Sequence, residues 1–132
     1  MARIENWEVK LQEALDRTSQ VKFEYGTADC TTWSAMIVKS YTDLEWEATW
    51  TNETEALKQQ KDEPMEDQVS KVLKKSPRSL ISQTKRGDVV QKGTGMKAAL
   101  GIFVGQGKVA FVTKLNGLTY IPLTECTYSW EI

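Results

Sequence analysis

Between residues 4 and 15 the apolar side chains recur at helical intervals. Ile4, Trp7, Leu11, Ala14 and Leu15 share one face, and Glu5, Glu8, Gln12 and Asp16 take the other. That stripe predicts an amphipathic helix of about 14 residues, closed by Thr18-Ser19-Gln20. The period then falls to two. Val21, Phe23 and Tyr25 alternate with Lys22 and Glu24, an extended piece that leads into Gly26. A second helix follows, capped by Thr27 or Asp29, either of which has an oxygen able to accept from an early helical N–H. Cys30, Trp33, Ile37 and Tyr41 fall on one face of it, at intervals of 3, 4 and 4. Trp33 and Ile37 pin this helix, with Cys30 in its first turn on the buried side.

Residues 43–63 are polar and acidic, punctuated by Trp46 and Trp50. Thr51-Asn52-Glu53-Thr54-Glu55 offers two overlapping capping boxes for a short helix through about Gln60. Pro64 suits the first turn of a fourth helix with Met65, Val69, Val72 and Leu73 as its stripe, and Ser76-Pro77 stops it. From Arg86 the pattern reads as strands. Asp88-Val89-Val90 is entered from Gly87, Ala99 to Val104 and Val109 to Thr113 follow, and Leu118 and Tyr120 lead past Pro122 to a last strand near Tyr128–Ile132. Turns fall at Lys92–Gly95 and Gly105–Gly107, and Asn116-Gly117 carries the signature of a type I′ hairpin. Helices over about 1–84 and an antiparallel sheet of about five strands over about 86–132 make an α+β chain, the sheet able to curl into a half-barrel.

The 132 residues match one ordinary domain, 1–132, able to bury a core without metals or disulfides. Hydrophobic content of 40% with 27% charged residues is globular. No run approaches the roughly 18 apolar residues of a membrane span, and the first 20 residues lack the apolar stretch of a secretory signal. Cys30 and Cys126 are expected to be free thiols.

Charge changes the picture more than composition does. Residues 1–67 carry 15 acidic and 7 basic side chains, a net of −8; residues 68–132 carry 3 and 10, a net of +7. The acidic excess is densest over 43–67 and the basic excess over 71–97. The two halves either face each other within one domain or make head-to-tail contacts with other copies or partners. Nucleic acid is not the expected partner, because few of the bases are Arg and aromatics do not interleave them.

A cysteine at a helix N-terminus gains from the positive end of the dipole, which favours thiolate. A thiol enzyme also needs a base, nearly always imidazole. The sequence has no histidine. Asp29 beside the sulfur opposes ionisation, and Lys97 would need desolvation to shuttle protons. Two cysteines without histidine or spaced carboxylates make no metal site, and the glycines from Gly101 to Gly107 lie in strands and turns rather than before a helix. No cofactor is expected.

Four pieces in order carry a resemblance: Phe23-x-Tyr25-Gly26-x2-Asp29-Cys30-x2-Trp33; Arg86-Gly87-Asp88-Val89-Val90; Leu100-Gly101-Ile102-x2-Gly105; and Gly117-Leu118-x2-Ile121-Pro122-Leu123 with Trp130 near the end. Together they resemble a family of small tailed-bacteriophage proteins that look like distant relatives of the NlpC/P60 cysteine peptidases. The resemblance covers nearly the whole chain, Trp7 included. It implies a papain-like fold of N-terminal helices packed on a C-terminal sheet. Cys30 matches the nucleophile, Asp88 matches the aspartate that begins the first strand, and the histidine position falls at about Ala99. Tyr25, Gly26, Asp29, Trp33, Gly87, Gly101 and Trp130 are then motif and packing positions.

The expectation is a structural or assembly protein of the phage tail, tail tip or head–tail region, a catalytically degenerate pseudoenzyme. It would be made in the host cytoplasm and carried in the virion, and it would contact other phage structural proteins, further copies of itself, or peptidoglycan. One alternative is a tail peptidoglycan amidase or endopeptidase using Cys30. Another is a non-catalytic host-directed binding protein.

Overall fold

A computed structural model describes residues 3–25, 28–46, 53–78, 81–95 and 98–132; of Glu53 and Ile81 only the backbone is described. Gly26, Thr27, Trp50, Thr51, Asn52 and Lys97, each used in the sequence reading, lie outside these residues. Four α-helices precede five strands: α1 Trp7–Arg17, α2 Cys30–Tyr41, α3 Glu53–Asp62, α4 Met65–Leu73, then β1 Val89–Lys92, β2 Ala99–Gly105, β3 Lys108–Thr113, β4 Gly117–Pro122 and β5 Tyr128–Trp130. All strand pairings are antiparallel, in the order β4-β3-β2-β1-β5. The fold is α+β.

α1 is shorter than its stripe predicts. Asn6 takes a left-handed conformation at φ 63°, which asparagine tolerates better than most residues, so the helix begins at Trp7. Ile4, expected on the helix, is 40% exposed. Its N–H donates to the Tyr41 carbonyl at 3.0 Å, and Arg3 bridges Thr42, so the start of the chain runs extended along the end of α2. Leu11, Ala14 and Leu15 are buried as the period requires.

α2 is the central helix, with Trp33, Ala35, Ile37, Val38 and Tyr41 all buried. The Trp33 indole N–H donates to Thr18 Oγ1 at 3.1 Å, so the loop after α1 satisfies the polar edge of the largest core side chain. α4 buries Met65, Val69 and Leu73 and ends at Lys74, left-handed at φ 56°, before Ser76-Pro77 is reached. Ser70 on this helix accepts from the Trp130 indole N–H at 3.1 Å, which ties α4 to β5.

Alternation along the strands divides two apolar clusters. Val89, Leu100, Ile102, Ala110, Val112 and Trp130 face the helices, while Val90, Phe103, Val109 and Phe111 form a second cluster on the opposite face. β4 and β5 lie at opposite edges. Their connection carries Leu123 and Cys126 onto the second cluster and is held by Leu123 N–H to Gly107 O at 2.8 Å and Thr127 N–H to Gln91 O at 2.9 Å. Arg78 bridges Ser129 along the outer edge of β5, which blunts that edge.

The turn chemistry differs from the sequence reading. Gln106 and Gly107, between β2 and β3, both have positive φ, at 54° and 73°, the backbone a type I′ turn demands. Asn116 does not. The β3–β4 connection is a three-residue loop, 114–116, entering Gly117 at φ 66°. A Cβ on Gly117 would stand 2.5 Å from the Val21 carbonyl oxygen. The positive φ and this tertiary contact together select the glycine here.

Candidate functional site

The extended segment through Phe23 and Tyr25 delivers the chain to α2. Asp29, 2% exposed, is its N-cap: the carboxylate accepts from Thr32 N–H at 3.0 Å and from the Thr32 hydroxyl at 2.7 Å. Cys30 therefore occupies the first helical position, and its sulfur reaches the backbone of Leu100 in β2. It borders a cavity of about 320 Å³. Phe23, Tyr25 and Lys114 line one side, Ala56, Leu57 and Gln60 of α3 another, with Met65, Ala98, Ala99 and Val112 completing the apolar lining. Phe23 and Tyr25 meet edge to face at 4.9 Å. The Lys114 ammonium sits 5.1 Å from the Tyr25 ring centre and 5.9 Å from that of Phe23.

Burial pushes the Cys30 thiol up from its ordinary value, and the Asp29 carboxylate adds to the rise. The Leu100 backbone and Thr31 oppose it without prevailing. The advantage of the helix N-terminus is therefore outweighed by desolvation. At the start of β2, Ala98 packs with the core cluster that holds Cys30 and Ala99 with the second cluster, and both border the cavity. Both are alanines, and neither has proton chemistry.

Asp88 does not line this cavity. It is fully buried and holds the fold together. Oδ1 accepts from Arg3 Nη2 at 3.0 Å and from Ile132 N–H at 3.2 Å; Oδ2 accepts from Arg78 Nη2 at 2.7 Å and from Lys85 N–H at 2.8 Å. One carboxylate thus ties residue 3 to residue 132. Arg3 extends the junction by donating from Nε to Ile132 O at 2.9 Å and from Nη1 to Arg86 O at 2.8 Å, with its guanidinium 4.0 Å above the Trp7 ring.

Beside Asp88, Gly87 has φ 89°, and a Cβ there would lie 3.1 Å from both Arg3 Nη1 and Trp7. Its carbonyl accepts from the Tyr41 hydroxyl, whose own ionisation is pushed up by burial. Gly101 is required by the Phe111 ring, 2.8 Å from where its Cβ would be. Trp130 is fully buried.

Sequence reasoning missed Arg3, Arg78 and Lys114. The two arginines are 85 and 10 residues from Asp88, and neither stands in a local motif. Lys114 follows a strand end and reads as an ordinary loop cation. Cys126, like Cys30, is a free thiol, and the two pack with clusters on opposite sheet faces. Among the described residues no group of His, Cys, Asp or Glu could hold a metal, and no helix is long and apolar enough to cross a membrane.

The family model described as "Domain of unknown function (DUF6950)" matches residues 2–132. The chain belongs to the DUF6950 family. Among solved structures, this DUF6950 chain is similar to the crystal structure of the NlpC/p60 domain of the peptidoglycan hydrolase SagA. The TM-score is 0.65 at 13% identity, and the likeness covers 95% of this chain and 98% of that one. At such identity the likeness is one of fold: DUF6950 here adopts the NlpC/P60 architecture. No curated protein matches the chain.

Proposed function

We propose that this chain is a catalytically inactive NlpC/P60-like domain that serves as a structural or assembly component of a tailed-phage particle, through contacts with other virion proteins or with further copies of itself. The observation that carries the loss of activity is the setting of Cys30. Burial and the Asp29 carboxylate raise its thiol above the ordinary range, and at the start of β2 the cavity is bordered by Ala98 and Ala99, neither of which can act as a general base. The phage setting rests on the order of the four sequence pieces, and the contact role on the charge asymmetry of the chain. The purified protein should release no soluble fragments from peptidoglycan sacculi. Release that disappears in Cys30→Ala would overturn the inactive reading. Mass spectrometry of purified particles tests the other half: absence of the chain from virions and from assembly intermediates refutes the structural role.

A second reading, a wall amidase or endopeptidase, is favoured by one observation. Lys114 borders the same cavity as Cys30, and a lysine can serve as base when its ammonium is destabilised. Under that reading, sacculus hydrolysis is present in the wild type and lost in both Cys30→Ala and Lys114→Met.

A further inference from the structure

A second cleft, of about 400 Å³, opens away from Cys30, between α1, the β2–β3 turn and β4. Leu15 and Val104 give it an apolar base; Gln12, Gln106 and Tyr120 supply polar groups around it. Arg86 lies along it with its side-chain methylenes 3.8 and 4.0 Å from the position a Cβ on Gly105 would take, within ordinary van der Waals contact. The guanidinium is poorly satisfied. Nη2 reaches Gln12 Oε1 only at 3.4 Å, a weak bond, and Nε is buried with no partner. Tyr120 is 50% exposed, an aromatic surface on the same cleft.

A guanidinium short of acceptors, beside an open aromatic ring and two side-chain amides, suits a carboxylate with an apolar group next to it. Arg86 is the one charged side chain among the described residues that line the cleft, and its positive charge attracts an acidic partner. We infer that the Arg86–Tyr120 cleft docks an acidic segment of a protein partner, one carboxylate meeting Arg86 and an adjacent apolar side chain covering Tyr120. This inference rests on the reading of the chain as a contact protein, and it is independent of whether Cys30 is reactive.

The test is an NMR titration of the isotope-labelled full chain with an acetylated, amidated Leu-Glu-Leu-Glu-Leu peptide and its Leu-Gln-Leu-Gln-Leu counterpart. The acidic peptide should shift the amide signals of Arg86, Gly105, Gln106 and Tyr120, and its affinity should fall with salt. Arg86→Gln should weaken it by about tenfold or more, as expected for loss of a charge-assisted pair, and Arg86→Lys should restore it only in part. Thermal melts confirm that the variants fold. Equal shifts with the Gln peptide, shifts reproduced by acetate or phosphate at the same concentration, or no shift in this cleft would each overturn the inference. Concentration-dependent self-association abolished by Arg86→Gln would support it, with a second copy supplying the carboxylate. A sacculus assay on the same samples is read separately: hydrolysis alongside peptide binding refutes the inactive reading and leaves the cleft standing.

Discussion

Replacing Asp88 by Asn exposes how the fold is closed. Each oxygen of the native carboxylate serves two donors: Arg3 Nη2 and Ile132 N–H on one, Arg78 Nη2 and Lys85 N–H on the other. An amide has one acceptor oxygen and one donor nitrogen. In either orientation, its NH2 therefore faces a guanidinium and a backbone N–H. The side chain is fully buried and its arginine partners are only 18% and 22% exposed, so solvent cannot supply the missing acceptors freely. Breaking a buried ion pair on one side costs about 3–5 kcal/mol, because the remaining charge is left uncompensated. Against a total stability of roughly 5–15 kcal/mol, that is a large share of the margin. Urea unfolding followed by tryptophan fluorescence should show the midpoint fall with little change in slope. A double-mutant cycle with Arg3→Ala should reveal a coupling of about 0.5–3 kcal/mol. A loss for Asp88→Asn below about 1 kcal/mol would refute the argument, since it would mean that water or a rearranged loop satisfies all four donors.

Gly101→Ala forces a methyl to within 2.4 Å of the Ala110 carbonyl oxygen and 2.8 Å of Phe111; overpacking of this kind should cost about 1–3 kcal/mol, and a melting temperature equal to wild type would contradict it. Asp29→Ala removes the N-cap of α2 and should cost about 0.5–2 kcal/mol. It also removes a like charge beside Cys30, so alkylation of that thiol should begin at a lower pH than in wild type. Both native thiols should react slowly with iodoacetamide at neutral pH, Cys126 because burial and then Glu125 push it up to about 11 against the opposing Lys92. A thiol raised in the folded state contributes stability that is present below its unfolded value of 9.0 and lost as pH rises towards about 11. Stability should therefore decline across that window, and less steeply in Cys126→Ala; identical profiles would refute the assignment.

Much of the fold was written in local periods. Leu11, Ala14 and Leu15, the Trp33–Ile37–Tyr41 face, and Met65, Val69 and Leu73 are all buried as their spacing predicts, because helical geometry alone decides which side chains share a face. The alternation from Val89 onward likewise marked the strands. The cap at Asp29 and the cysteine behind it were legible for the same reason: capping is a contact between residues three apart. What the tertiary structure decided lies in contacts between residues far apart along the chain. Asn6 and the pairing of Arg3 with Thr42 moved the start of α1, the Val21 carbonyl joined the positive φ in selecting Gly117, and the paired positive φ angles fell at Gln106-Gly107 instead of Asn116-Gly117. Asp88 read as a strand-initiating acid of a catalytic family, and only folding brought Arg3, Arg78 and Ile132 to it. The sequence by itself determined that these 132 residues carry no imidazole to set beside Cys30. The tertiary structure decided the state of the thiol, because burial against β2 is a property of packing, and desolvation there outweighs the helix end that its position in the chain had promised.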